Sequence, residues 1–176
     1  ASKIITVRQL LNMLSGIPKS IGQEQLANTD LSDSAIENNV RALAEVELIA
    51  PPGEHFEYSN ANYVTLGMII QAVTSQSYET YIREHIFQPL EMQNSFTSKI
   101  EAQQAGLAAG YQKWFGIPVA SPNLPFSRGS LPAGELILSA EDFGHYLIAN
   151  LNNGSYQGVS LLSPLGIAEM RQPPVN

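Results

Sequence analysis

From Tyr63 to Val73 the apolar residues Tyr63, Leu66, Ile70 and Val73 recur at helical spacing, and Ile69 widens the stripe. Such a segment buries a continuous face only as an α-helix, with Ser59 or Asn60 as its natural cap. The same logic repeats along the chain. Thr6 with Gln9 forms a capping box before Val7, Leu10, Leu11 and Leu14, and Gly16 and Pro18 end that helix. Ser32 or Ser34 caps a stripe of Ile36, Val40, Leu43 and Ala44, with Glu37 and Arg41 as an i,i+4 pair. Ser77 caps Tyr78, Tyr81, Ile82 and Ile86, with Glu79 and Arg83 as the surface pair and Pro89 as the stop. Ser139 with Asp142 opens a helix through Phe143, Leu147 and Leu151 that ends at Asn152-Asn153-Gly154. Ser163-Pro164 opens a last short one toward Met170. Residues 19–31 have weak periodicity and read as a loop with a turn of helix. No segment alternates long enough, or often enough, to build a sheet, so the expected class is mainly α.

Composition bounds what such a helical chain does. Its 176 residues suit one domain, 1–176, and within it the stretch 91–137, with Pro118, Pro122, Pro125 and Pro132, reads as an irregular cavity wall or cover. Sixteen acidic against nine basic residues give a net charge of -7 with no dense basic run, which argues against nucleic acid as a partner. Charged residues make up 14% of the chain, against a usual ~25%, so part of the surface is expected to meet something other than water. There is no cysteine, and His55, His85 and His145 lack the spacing of a metal site, so neither thiol chemistry nor a metal or other cofactor is expected. Ala1-Ser2-Lys3-Ile4-Ile5 lacks the pattern of a signal peptide and no apolar run is long enough to span a bilayer, so the chain as given is expected to be soluble.

Chemistry concentrates at Tyr58-Ser59-Asn60, between Pro51-Pro52-Gly53 and the long helix. There the first N–H groups of the helix are unpaired and the local potential favours an anion. A tyrosine carries a proton when a neighbouring cation lowers its pKa from about 10. An asparagine donates to a carbonyl and accepts from an N–H at once. Together they suit an amide or ester undergoing acyl transfer.

The flanking segments carry a family resemblance. Ile5-Thr6-Val7-Arg8-Gln9-Leu10-Leu11 with Ser15-Gly16-Ile17-Pro18, and Pro52-Gly53-Glu54-His55-Phe56-Glu57-Tyr58-Ser59-Asn60-Ala61-Asn62-Tyr63 with Leu66-Gly67, resemble stretches of the serine β-lactamase-like family. That family takes in class C β-lactamases, D-alanyl-D-alanine carboxypeptidases and related esterases. Phe87-Gln88-Pro89-Leu90-Glu91-Met92, Ala109-Gly110-Tyr111 and Pro132-Ala133-Gly134-Glu135-Leu136 with Ser139-Ala140-Glu141-Asp142 match three more of its segments in order. Glu91 and Glu135 stand where the family usually has glycine. The resemblance implies that Tyr58 is the general base or proton shuttle and Asn60 the substrate-orienting donor. It also places Ser59 at the cavity rim and Glu135 near the cavity wall. Trp114, with Phe115 and Phe126, is a candidate aromatic wall or an anchor for its loop, and Arg128 a candidate for a substrate carboxylate.

One departure shapes the expectation. The lysines are Lys3, Lys19, Lys99 and Lys113, and the residues three before the last three are Gly16, Phe96 and Gly110, so the family's Ser-x-x-Lys is absent, as are Gly-x-Ser-x-Gly, Lys-Thr-Gly and His-Thr-Gly. The chain is therefore expected to be only the middle, helical region of the β-lactamase/transpeptidase-like α+β fold, lacking most or all of its antiparallel sheet. It would be an inactive fragment of a serine hydrolase that acts on D-alanyl peptides, β-lactams or small esters; the motifs present do not separate these activities. The alternative is a non-enzymatic cell-wall or peptide-binding relative. A small-molecule or peptide substrate, a bacterial cell-envelope location, a membrane anchor or leader outside this chain, and self-association through an apolar surface complete the expectations.

Overall fold

The computed structural model describes residues 5–121 and 125–172, and Pro122 of the expected cover lies outside them. Helix α1 (Val7–Leu11) begins with the reciprocal capping box: Gln9 N donates to Thr6 Oγ1, and Thr6 N donates to Gln9 Oε1 at 2.8 Å. α2 (Lys19–Ala27) follows Pro18 and is a nine-residue helix where a loop was expected. It has no side-chain cap, and its few apolar residues leave no periodic signal; tertiary packing supplies what its sequence does not advertise. α3 (Ala35–Ala42) runs into a 3-10 turn, Leu43–Glu45, and carries the Glu37–Arg41 pair. α4 (Asn60–Thr74) is the fifteen-residue helix read from its stripe. α5 (Tyr78–Ile82), capped by Ser77, passes into a π-helical turn, Arg83–Phe87.

Residues 91–137 hold more regular structure than their composition announces. β1 (Ser95–Phe96), α6 (Lys99–Gln104), β2 (Gly110–Trp114), β3 (Ile117–Ser121), a 3-10 turn (Arg128–Ser130) and α7 (Leu131–Gly134) follow in order. β4 (Ile137–Leu138), α8 (Ala140–Leu151), β5 (Ser155–Tyr156), β6 (Val159–Ser160) and α9 (Pro164–Met170) complete the described chain. The strands pair antiparallel as β1–β4, β2–β3 and β5–β6. These small sheets correct the expectation of a helical region without sheet. Two of the pairs have only two residues per strand, too few to alternate. The third, β2–β3, is exposed on both faces, so no apolar/polar alternation marks it.

α4 sits at the centre, with α1, α2, α3, α5 and α7 packed on it. Leu10, Ile17 and Ala61 bury one side, while Ile36, Val64, Tyr78 and Leu131 bury another. A third cluster, Phe87, Leu90, Met92, Ala149 and Tyr156, joins the π-helical turn to α8 and β5. Gly67 lets α7 approach, since a Cβ there would stand 2.2 Å from Pro132 Cγ. Among the described residues no helix is long and apolar enough to cross a membrane.

Candidate active site

The start of α4 is fixed from three directions. Gly16, at φ +79°, turns the chain where any Cβ would meet Ala50 O at 2.3 Å. That turn brings Ser15 against α4: its hydroxyl, fully buried, donates to Asn62 Oδ1, and it also accepts from Ile17 N at 3.1 Å. Asn62, equally buried, spends its amide on Ser59 O at 3.0 Å and on Met13 Sδ. From the side, Gly22 of α2 lies so close that a Cβ would stand 2.6 Å from Asn60 N. From before the helix, Glu57 N donates to Met13 O at 3.0 Å and Gly53 N to Leu14 O at 2.7 Å, which holds the approach from Pro51 against the end of α1.

On this base the three sequence-predicted residues divide. Ser59 is fully buried and donates to Pro18 O at 2.9 Å, so its hydroxyl ties the helix start to the Ser15–Pro18 turn and does not reach a rim. It is the N-cap residue by position, but its side chain makes no cap hydrogen bond. Tyr58, 52% exposed, donates to Asn60 Oδ1 at 3.0 Å. That bond uses the oxygen of the carboxamide and leaves Asn60 Nδ2 without a partner among the described residues. A phenol and an unspent amide donor thus stand together at the uncapped end of a fifteen-residue helix, with no acidic residue in its first turn. His55 is exposed nearby in the turn.

The remaining candidates lie apart from this pair. Arg128 is held by Glu79 at 2.7 Å, Asp33 at 2.6 Å and Leu31 O at 3.0 Å, and so clamps the α2–α3 loop to α5. The Glu79 it takes is the one expected to pair with Arg83, which instead lies 3.7 Å from Glu101. Trp114 is 69% exposed at the tip of the β2–β3 hairpin and meets Phe115 edge-on at 5.5 Å. Phe126 packs against the Ile36–Val64–Tyr78–Leu131 cluster, so it anchors its loop while Trp114 and Phe115 do not. Glu135 is partly buried after α7; desolvation raises its pKa, and Lys99 partly opposes that. A cavity of about 600 Å³ between α1, α3 and α4 is lined by residues such as Leu10, Ile17, Val40, Leu48 and Ile69. Tyr58 is not in its wall, which is mostly apolar with Arg41 and Thr65 as its polar side chains. No group of three or more His, Asp or Glu placed to hold a metal occurs among the described residues. Ser15, Gly22 and Asn62, the residues that position the pair, carry no sequence signal beyond lying inside or beside the quoted segments.

The family model for Beta-lactamase matches residues 1–175 of the chain. Protein flp of Staphylococcus aureus (strain MW2) is 36% identical over 151 residues, which take in 86% of this chain and 30% of flp. The octameric penicillin-binding protein homologue from Pyrococcus abyssi matches with a TM-score of 0.78 at 31% identity, over 96% of this chain and 38% of its own. D-amino acid amidase from Ochrobactrum anthropi SV3, in complex with L-phenylalanine, matches with a TM-score of 0.71 at 26% identity, over 93% of this chain and 45% of its own. The chain therefore spans less than half the length of each of these relatives. Two expectations are corrected. The likeness is not confined to a middle region, since the family model runs through residues 1–175. The picture of an inactive fragment stripped of its sheet is corrected to this extent, that the fold of these proteins is matched over 93–96% of the chain, small sheets included.

Proposed function

The chain belongs to the Beta-lactamase family, a family of serine hydrolases and penicillin-binding proteins, and from that premise we propose that Tyr58 and Asn60 serve acyl transfer on D-amino-acid amides, D-alanyl peptides, β-lactams or small esters. The observation that carries the reading is the 3.0 Å bond from the Tyr58 hydroxyl to Asn60 Oδ1 at the helix start. It fixes the carboxamide so that Nδ2 donates to a substrate carbonyl. It also keeps the phenol beside that carbonyl, where it passes its own proton to the leaving amine or alkoxide and takes that of the attacking hydroxyl in its place, so that the O–H holding Asn60 is restored. No Ser-x-x-Lys lies within these residues, and the reading names no nucleophile among them. The amidase match supports amides of D-amino acids as one substrate class. In this reading residues 1–176 work as one domain in the bacterial cell envelope. The octameric state of the Pyrococcus abyssi homologue supports self-association as part of it.

The test is acylation by a fluorescent penicillin, and turnover of D-phenylalanine amide and of an activated ester, by the polypeptide carrying these residues. Tyr58→Phe is expected to lower kcat/KM by about 10²–10⁴-fold, the usual range for losing a general acid–base. Asn60→Ala is expected to act mainly through KM. Wild-type rates in Tyr58→Phe, or saturable binding with neither acylation nor turnover, would sink the proposal.

A further inference from the structure

The β2–β3 hairpin stands out from the body of the molecule. Every residue from Tyr111 to Ala120 is exposed, with Tyr111 at 67%, Trp114 at 69%, Phe115 at 91% and Ile117 at 66%. A two-stranded ribbon with both faces in water is marginal by itself. It also presents two free edges, each a template for another strand.

The two edges are not equivalent. Phe115 and Gly116, at φ +46° and +82°, form the two-residue turn, and the register closes on Trp114–Ile117. In such a hairpin the closing pair is hydrogen-bonded and the pairs then alternate, so Lys113–Pro118 and Tyr111–Ala120 are the non-hydrogen-bonded pairs whose backbone groups point outward. On β3 the outer edge is blunted by Pro118, which has no N–H. On β2 the outer edge, formed by Tyr111 and Lys113, is complete.

The residues on that complete edge fit its own copy. An antiparallel pairing of β2 with a second β2 about a two-fold axis at Gln112 sets Tyr111 opposite the second copy's Lys113, and Gly110 opposite its Trp114. The single charge of the hairpin, Lys113, then never faces its own kind. The indole covers a glycine, a pairing that compensates for the missing side chain. Directly opposed residues share a face, so Gln112, Trp114, Ile117 and Val119 of both copies line one side of a four-stranded sheet. The arm's aromatic residues, at ~150–250 Å² each when whole, together with Ile117 and Val119 offer roughly 600 Å² of apolar surface. Edge pairing covers only the part of it beside β2, which places the contact among small, concentration-dependent interfaces. A lone lysine on this arm also suits a partner of net charge -7.

We propose that the β2–β3 hairpin is a self-association arm, in which the open edge of β2 pairs antiparallel with the β2 edge of a second copy of this chain, centred on Gln112. The proposal stands independently of the acyl-transfer reading.

Light scattering after size exclusion, on the whole chain at tens of micromolar, is expected to give a mass twice that of the monomer. Lys113→Pro removes one outward N–H and no bond within the hairpin, and is expected to give monomer with an unchanged circular dichroism spectrum. Lys113→Ala keeps the N–H and is expected to stay associated. Because the chain has no cysteine, Gln112→Cys gives a clean second readout. Residue 112 would face its own copy in a non-hydrogen-bonded pair with Cα atoms ~4.5 Å apart, and mild oxidation is expected to cross-link it. A monomeric wild type, a Lys113→Pro variant that stays associated, a Gln112→Cys variant that fails to cross-link, or a monomer that instead binds anionic lipid vesicles through the hairpin would each overturn the proposal.

Discussion

Gly22 and Gly144 show how the same residue type carries opposite meanings at two positions. At Gly22 a Cβ would stand 2.6 Å from Asn60 N and 3.1 Å from Asn60 Cβ, so the methyl of Gly22→Ala has to displace the backbone of the residue proposed to orient the substrate. Overpacking of this kind costs about 1–3 kcal/mol. At Gly144, inside α8, a Cβ meets nothing within 4 Å, and alanine only removes backbone freedom from the unfolded chain. Gly144→Ala is therefore expected to raise stability by about 0.5–1 kcal/mol. Urea titrations of the two variants should move in opposite directions, and a Gly22→Ala protein as stable as wild type would show that α2 does not buttress Asn60. Glu79 teaches the same dependence on context. Its spacing to Arg83 reads as a helical surface pair, yet Arg128 arrives from far along the chain and takes it as a charge-assisted, largely buried partner.

Among the elements, α8 shows how a cap becomes a tertiary tie. Ser139 Oγ accepts from Asp142 N at 3.1 Å as the sequence anticipates, but the Asp142 carboxylate reaches past its own helix to Asn94 N at 2.7 Å and Ser95 Oγ at 2.6 Å. Asp142, 3% exposed, thereby fastens β1 to the start of α8. Asp142→Ala takes a charged acceptor from the Asn94 N–H and the half-buried Ser95 hydroxyl and should cost about 2 kcal/mol. Asp142→Asn retains one acceptor oxygen and should cost less. Denaturant midpoints within about 0.5 kcal/mol of wild type would refute the tie. Four of the helices with side-chain caps were legible because a serine or threonine meeting the N–H three residues on is a local event, and Thr6, Ser77, Ser139 and Ser163 all make that bond. α6 carries the same cap, Ser98 accepting from Glu101 N, but at six residues it is too short to show a stripe and lay inside the stretch read as irregular. α2 escaped because Pro18 offers no such bond and its packing partner, Asn60, lies some forty residues away. The β2–β3 hairpin escaped because Phe-Gly is not the usual Asn-Gly of a two-residue turn, and because exposure on both faces erases alternation. At the candidate site the pair Tyr58–Asn60 was visible as a motif; that Ser59 is buried and Asn62 structural was not, since both depend on the Ser15–Pro18 turn folding back on α4.

For the whole molecule, the pH dependence of stability follows from where its acids sit. Asp30 is partly exposed, and the backbone N–H of Ser32, then the side chains of Ser32 and Asn38, hold its pKa low. Its contribution is present above the ordinary carboxylate value and fades as pH falls through the lowered one. Glu135 has the opposite sign: burial raises it, so the folded state prefers the neutral acid and loses that preference as pH rises through the raised value. These two oppose each other along the acid limb. The alkaline limb belongs to Tyr78, 8% exposed in the cluster with Ile36, Val64 and Leu131 and pushed up to about 12 by burial, with the charge of Glu79 adding to it. Between pH 10 and 12 the unfolded chain gives up that proton and the folded chain keeps it, so stability is whole below 10 and falls as pH climbs toward 12, by about 3 kcal/mol in all. Each further ionisation also adds negative charge to a chain already at -7, which steepens the loss. Tyr78→Phe keeps the ring in the core and removes this ionisation, so its melting temperature should fall less between pH 10 and 12 than that of wild type. Parallel alkaline limbs in the two proteins would mean that the cost of charging lies elsewhere than in this core.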